Sequence, residues 1–380
     1  MKTSTAHISP AASGHNSTGI YWDDWASNIA EREDLSGLSF GGSTVVSHAY
    51  DDYGKPAWVD AQGHLKEGIY LGLENDVYHA IDAVSSSKLK VLIKEGPNHY
   101  HRAFLSNISR RRRHKQQQDT LDAGTYGHEL ILEPKGFYER YFRLPLEQDY
   151  PDALCTHSDL LEKVEEMGLS IAKSSSKQEL ATAIQRYAPE VEIFCTIYKE
   201  IVNHPDNIEK KGIDGLVWDD SHRVANTCSK DRCAAGLIKD GRPEVTFIAY
   251  DADLGLWVKC RFDWLRYDGI AIDVKTTKSA SEKNFSADAG KYGYHLQEAF
   301  YKYVARLLGV ELDEFLFIAI EYAESDSIET YDLCEKSKSI AVDKVADALQ
   351  TLKQCLSSGI WRSYSSESNI RRATIPTHYL

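Results

Sequence analysis

Apolar and polar residues alternate with a period of two along Leu256–Thr277, LWVKCRFDWLRYDGIAIDVKTT. Val258, Cys260, Phe262 and Trp264 fall on one side of the first half, and Lys259, Arg261 and Asp263 on the other. In the second half, Ile270, Ile272 and Val274 alternate with Ala271, Asp273 and Lys275. The pattern predicts two strands, each with an apolar and a polar face. Tyr267-Asp268-Gly269 suits a three-residue hairpin loop with glycine in the left-handed position. That loop pairs Arg266 with Ile270 and sets Asp263 directly opposite Asp273. A two-residue loop would set Asp263 opposite Val274 and bury a carboxylate among apolar side chains. Only the odd loop keeps the two apolar faces together.

The same reading places the neighbours of this hairpin. Glu244–Tyr250, EVTFIAY, is a strand that turns through residues 251–255 into the hairpin. Phe315–Tyr322, FLFIAIEY, is nearly continuous in apolar residues and predicts a buried strand. Ser85-Ser86-Ser87 caps a helix running to about Ile93, with Leu89, Leu92 and Ile93 as its apolar side. Gly96-Pro97 breaks it, and a second helix follows to about Leu105. Thr120–Leu132 predicts a helix stopped by Pro134; Gly124 and Gly127 allow close backbone approach and His128 stands beside them. Tyr292–Leu308 is amphipathic and ends at Gly309, with Leu296, Phe300, Tyr303 and Leu307 as the buried stripe. Gln297 and Tyr301, four apart, share a face of it. A last helix spans about Ser337–Leu356.

Elsewhere the pattern is less regular. Residues 1–45 are rich in Ser, Thr, Gly and Ala and read as a loosely ordered arm with one short helix near Tyr21–Arg32. Residues 46–75 look like short strands and turns, with Asn75-Asp76 opening a helical turn. Residues 157–205 are helical and charge-mixed, an insertion without evident chemistry. Residues 214–240 read as irregular strands and loops, and the polar run from 278 to about Lys291 reads as a loop. The expected organisation is an arm over 1–67, a main domain over 68–325 carrying the insertion, and a C-terminal helix and tail over 326–380.

Charge changes this picture in one place. The chain has 44 Lys and Arg against 57 Asp and Glu, a formal net charge of −13, so nothing global attracts nucleic acid. Any attraction must be local, and Arg110-Arg111-Arg112-Arg113-His114-Lys115 is the one concentrated basic run. It reads either as a solvated loop or as a phosphate-contacting one. The seven cysteines are irregularly spaced apart from Cys228 and Cys233, which predicts reduced thiols in a cytoplasm. The first residues lack the apolar segment of a signal peptide, and no run of about 18 apolar residues predicts a membrane span.

The hairpin carries the candidate chemistry. Directly opposed carboxylates lie about 4.5–5.5 Å apart at Cβ and repel. A divalent cation between them would remove that cost, and Mg²⁺ favours one or two carboxylates, waters and phosphate oxygens. Lys275, two residues past Asp273, projects from the same face. Two carboxylates and a lysine on one wet face are the parts for metal-assisted phosphodiester hydrolysis. A solvated, charge-alternating face is the competing reading, and for an isolated D-x-K it is the commoner one. Glu244 is a further candidate for the metal shell, its register open to within a residue.

The order of elements is a helix with His128, three antiparallel strands, a helix with Gln297 and Tyr301, and a strand. This resembles the αβββαβ core of the PD-(D/E)xK nucleases, an α/β (α+β) fold with a mixed central sheet flanked by helices. G-x-x-x-H at Gly124–His128, R-x-D at Arg261–Asp263, D-x-K-T-T at Asp273–Thr277 and Q-x-x-x-Y at Gln297–Tyr301 are similar to the RecB-like branch. GIYLGLENDVYHAIDAVSSSKL, GTYGHELILEP and KYGYHLQEAFY resemble the nuclease domain of RecE-type exonuclease VIII. The resemblance covers roughly 68–325. Phe262 stands where many relatives carry proline.

The resemblance implies roles. Asp263 and Asp273 would bind Mg²⁺ or Mn²⁺, with His128 as a further ligand or near-ligand and the Val274 carbonyl contributing. Lys275 would orient the attacking water or stabilise charge on the phosphate, and Gln297 and Tyr301 would support the substrate backbone or the lysine. Arg110–Arg113, Lys115, Arg261, Thr276 and Thr277 are the candidate DNA contacts. The implied activity is degradation of linear duplex DNA from an end, 5′ to 3′, leaving a 3′ single strand for an annealing partner. A ring-like homo-oligomer enclosing DNA is implied as well. A Cas4-like nuclease would need an iron–sulfur cluster, but after the site only Cys334 and Cys355 remain, so no cluster is expected. The rival from another class is a nuclease-like fold kept as an acidic interaction or inhibitor module. It would be favoured by loss of Asp263, Asp273 or Lys275, all of which are present.

Overall fold

The computed structural model describes residues 35, 38–42, 46–106, 122–322, 325–363 and 374–375. Tyr21–Arg32 and Arg110–Lys115 therefore lie outside the described residues.

In chain order, β1 (Val46–His48) and β2 (Gly68–Leu71) precede α1 (Asn75–Ala80), α2 (Ser86–Glu95) and α3 (Pro97–Tyr100), which continues into a π-helical turn at His101–Leu105. Next come α4 (Asp122–Leu132), α5 (Pro134–Arg140) and β3 (Tyr141–Arg143). The insertion holds α6 (His157–Glu166), α7 (Lys177–Tyr187) and α8 (Phe194–Val202). β4 (Lys211–Ile213), α9 (Gly215–Lys230) and α10 (Arg232–Leu237) lead to β5 (Gly241–Asp251), β6 (Leu256–Arg266) and β7 (Ile270–Thr277). The chain then runs through α11 (Glu282–Tyr292), α12 (Tyr294–Leu307), β8 (Glu314–Glu321), β9 (Ile328–Tyr331) and α13 (Glu335–Ser358).

Seven strands form one mixed sheet in the order β1-β2-β5-β6-β7-β8-β9. β5, β6 and β7 are antiparallel neighbours, and β8 returns parallel to β7. This is the expected αβββαβ core: α4, then β5–β7, then α12, then β8. β8 is buried along most of its length, as its apolar run requires. α2 and α13 pack on α12, which covers β5 and β6; α4 and α9 pack together over β7 and β8.

Two faces of β7 identify the sides. Asp273 and Lys275 point one way and Thr276, three residues from Asp273, the other. A Cβ on Gly124 would stand 2.8 Å from Thr276 Oγ1, so glycine is what lets α4 lie against that second face. Gly127 does the same for α9: a Cβ there would meet Val224 at 2.9 Å.

Three expectations change. The unit that carries the sheet runs from Leu35 to Leu380, wider than 68–325, because β1 and β9 form the outer strands and α13 buries Ala341, Val345, Leu349 and Leu352 in the core. Residues 215–230 are a helix rather than irregular strands. Asp214 caps it by accepting from Leu216 N and Val217 N, and its buried stripe is Ser221, Val224, Ala225 and Cys228. Small residues make such a stripe weak in hydropathy although the spacing is helical. Residues 282–292 are likewise a helix, buried only at Phe285 and Ala289. The insertion is helical as expected and has its own small core of Leu160, Val164, Leu180, Ala181, Ile184 and Ile193.

Candidate active site

The hairpin forms with the expected loop. Gly269 has φ +85°, and β6 pairs with β7 at Leu265↔Ala271 and Trp264↔Ile272. This is the register that sets Asp263 against Asp273. The pairing stops there. Val274 N, instead of entering the ladder, donates to Asp263 Oδ2 at 2.9 Å.

The alternation of β6 also breaks at this point. Phe262 and Leu265, three apart, both enter the main core, so Asp263 and Trp264 between them are turned away from it. On β5 the ladder carries Pro243↔Trp264 and Val245↔Phe262 and skips the pair between them, Glu244 and Asp263. Glu244 has φ +51°, a left-handed backbone that costs a non-glycine residue about 1–3 kcal/mol. The register therefore sets Glu244, Asp263 and Asp273 in a row across three strands, at the level where the sheet opens.

Groups from both faces reach this opening. From α4, His128 Nε2 lies 3.0 Å from Asp263 Oδ2. From α12, Gln297 Nε2 donates to Asp273 Oδ1 at 2.6 Å. Lys275 Nζ pairs with Asp273 Oδ2 and stands 5.1 Å from the centre of the Tyr294 ring. Asp273 is buried at 2% exposure, whereas the Asp263, Lys275 and His128 side chains keep 17%, 21% and 29%, so the face is wet at its rim and dry only at Asp273. The helices on either side, invisible in the strand pattern, account for the difference.

Burial and crowding of like charge set the titration. Burial, with the neighbouring Asp263 charge added, raises Asp273 to about 6 against the pull of Lys275. Burial and Asp263 raise Glu244 to about 7, with Arg261 and His128 opposing. At Asp263 burial works upward, but His128, Lys275 and the Val274 amide override it and hold the carboxyl below its usual range. Burial pushes His128 and Lys275 down, and the carboxylates more than reverse this for both.

The donor set suits a hard divalent cation. Three carboxylates and an imidazole are oxygen and nitrogen ligands, and two of the carboxyls are held high by burial and by the neighbouring Asp263 charge. Asp273 Oδ2 is buried and, apart from its ion pair with Lys275, accepts no hydrogen bond. His128, Asp263, Asp273 and Glu244 are the residues that would hold the cation. Among the described residues no three His, Cys, Asp or Glu side chains already converge as a preformed cage; His128 and Asp263 bond each other instead.

Other predicted residues go elsewhere. Arg261 lies under the site, 8% exposed, donating to Leu73 O at 2.7 Å and Thr246 Oγ1 at 3.0 Å and pairing with Glu244 Oε2 at 3.3 Å. It is a support for Glu244 and for the entry to α1, not a surface for DNA. The period-two pattern could not tell a charged face turned to solvent from one covered by α1. Tyr301 packs edge-on against Phe262 and Phe315, at ring distances of 5.1 and 5.9 Å, which makes it part of the core beneath the aspartates. Thr276 is covered by Gly124, and Thr277 Oγ1 donates to Ser279 O, closing the turn after β7. At Val274 it is the amide that the site uses. Arg110–Arg113 and Lys115 lie outside the described residues.

The sequence reading missed Lys90. From α2 its Nζ donates to Gln297 Oε1 at 3.4 Å, and burial together with Lys275 lowers it to about 8. Its only sequence signal is a lysine beside the apolar Leu89–Leu92 side of a Ser-capped helix. Nothing local links it to a glutamine 207 residues on.

Residues 85–374 match the model of a family described as a PDDEXK-like domain of unknown function, DUF3799. The chain belongs to this family. The matched segment holds every residue of the site just described, from Lys90 to Gln297, so the DUF3799 chain carries a PD-(D/E)xK-type nuclease domain. No curated protein sequence matches it. Among solved structures, a Eubacterium rectale protein named "Putative exonuclease" overlays with 12% identity, covering 71% of this chain and 97% of its own, at a TM-score of 0.33. A second, SSO0001, overlays with 13% identity over 50% of this chain and 83% of its own, at a TM-score of 0.22. TM-scores this low do not establish a shared fold. Among the described residues, no helix is long and apolar enough to cross a membrane.

Proposed function

We propose that this nuclease domain is a Mg²⁺- or Mn²⁺-dependent exodeoxyribonuclease that degrades linear duplex DNA from an end. The observation that carries the reading is the opening between β6 and β7, where Asp263, Asp273 and Lys275 meet beneath His128 and Gln297. A bound cation would supply Lewis-acid stabilisation of the phosphoryl oxygens and a stronger water nucleophile. The chain's own residues do the rest. Val274 N holds the Asp263 carboxylate in place. Gln297 holds Asp273 through Oδ1 and leaves Oδ2 toward the lysine. Lys275 presents its ammonium to a phosphate oxygen or to the attacking water, and the Tyr294 ring backs it.

The resemblance to RecE-type exonuclease VIII supports 5′-to-3′ polarity, a 3′ single-stranded product passed to an annealing protein, and a ring-like homo-oligomer. In such a ring the Arg110–Arg113 and Lys115 segments would offer an acidic chain its local positive charge. The test is end-labelled linear duplex and covalently closed circular DNA, each with Mg²⁺ or EDTA. Loss of linear DNA alone, and only with metal, is the expected result. Equal loss of both substrates would make the enzyme an endonuclease, and no loss of either would overturn the reading.

A further inference from the structure

Among the described residues, Lys90 forms no ion pair and bonds only the neutral Gln297 amide. α2, which carries it, is tied to the hairpin: Val84 N donates to Trp257 O and Lys259 N to Val84 O, both at 2.8 Å. Ser85 caps the helix by accepting from Lys88 N at 3.4 Å, and Leu89 and Leu92 anchor it in the core. The side chain is therefore held on a rigid element, lying along Gly293, where a Cβ would come 3.6 Å from Lys90 Cδ.

An ammonium has three N–H donors, and burial makes unmet ones expensive. Among the described residues Lys90 Nζ has one acceptor, Gln297 Oε1 at 3.4 Å. The nearby carboxylate, Asp273, is already in contact with Lys275. Two lysines thus face one carboxylate, in a chain whose overall charge is negative. The surplus positive charge sits at the amide oxygen of Gln297, whose amide nitrogen holds Asp273.

We infer that Lys90 is a substrate-binding residue that contacts a phosphodiester oxygen of the DNA strand next to the phosphate being cleaved. The inference rests on the nuclease reading and deepens it. Gln297 then joins two jobs: its amide nitrogen orients Asp273, and its amide oxygen holds Lys90 until a phosphate replaces it as the better acceptor. A fixed lysine beside the catalytic one sets the register of the strand, so that the phosphate presented to Lys275 is the correct one.

The test uses the full chain and a short labelled DNA duplex. Binding is measured against salt in EDTA for wild type, Lys90→Met and Lys90→Arg, and cleavage of linear duplex is followed with Mg²⁺. Lys90→Met should lose about 10- to 100-fold in affinity, as for one hydrogen bond to a charged group. Its log–log salt slope should fall by about 0.7–0.9, the value for one phosphate contact. KM should rise more than kcat falls, and Lys90→Arg should restore slope and KM. If Lys90→Met loses its melting transition, Lys90→Gln takes its place in the same comparison. An unchanged salt slope with a lowered kcat would make Lys90 a mere support for Gln297 and overturn the proposal, while wild-type cleavage stands. A wild type that neither binds nor cuts DNA would overturn the nuclease reading and this inference together.

Discussion

Two sets of charges meet at one hairpin and differ in who their partners are. Lys259 ends on backbone, and Arg261 does so in part, beside the Thr246 hydroxyl and the Glu244 carboxylate. Lys259 Nζ donates to the carbonyls of Tyr78 and Ile81, and Arg261 to those of Leu73 and Glu74. Both also lie over the Tyr78 ring, at 4.6 and 4.2 Å from its centre. The other set is held chiefly by side chains: Asp263 by His128 together with the Val274 amide, Asp273 by Gln297 and Lys275, and Lys90, reaching in from α2, by Gln297. Charges bonded to carbonyls close a fold, because those partners cannot leave. Charges bonded to other movable side chains can exchange them for a cation and a phosphate. The first set holds the structure and the second is available for chemistry.

The sharpest way to break this comparison is to remove one member of the second set. Asp273→Ala should lower DNA hydrolysis by about 10³-fold or more, and Lys275→Ala nearly as much, with melting temperatures close to wild type. Turnover by the Asp273 variant above a tenth of wild type would take the residue out of the site. Arg261 tests the other side. Arg261→Met strands two buried carbonyls and Glu244, and should destabilise the fold by about 3 kcal/mol in a urea titration. A stability equal to wild type would mean that the backbone bonds of Arg261 do not hold the structure together.

The smallest effect concerns pH. Burial, with Lys88 and Arg261 nearby, lowers Lys259 to about 7. Between about 7 and the ordinary lysine value the unfolded chain binds the extra proton, so stability attributable to this residue rises with pH across that window. Lys259→Met should flatten that part of the profile relative to wild type when urea midpoints are compared across it. Parallel profiles would show that the carbonyl bonds keep Lys259 charged throughout.

Much of the site was legible in the sequence because its parts are local. The odd loop with Gly269 dictates the register, and D-x-K puts Asp273 and Lys275 on one face by strand geometry alone. Gly124 and Gly127 announced a close approach, and the structure supplies Thr276 and Val224 as what approaches. The sequence also determined the order of the core elements and the helical character of 157–205.

Tertiary structure decided what depends on residues far apart in the chain. A polar strand face is the same pattern whether water or α1 lies over it, so the burial of Lys259 and Arg261 had no sequence signal. The parting of β6 and β7 arises from competition between a backbone acceptor and the Asp263 carboxylate for Val274 N, which only the packed sheet resolves. The stripes of small residues in α9 and the two buried positions of α11 carry too little hydropathy to stand out from a loop. Lys90 reaches the site because α2 is pinned to β6 by the backbone of Val84 and laid against α12. Periodicity reports which face of an element is apolar, and a charge acquires its role only when another element arrives to cover it, bond it or leave it unmatched.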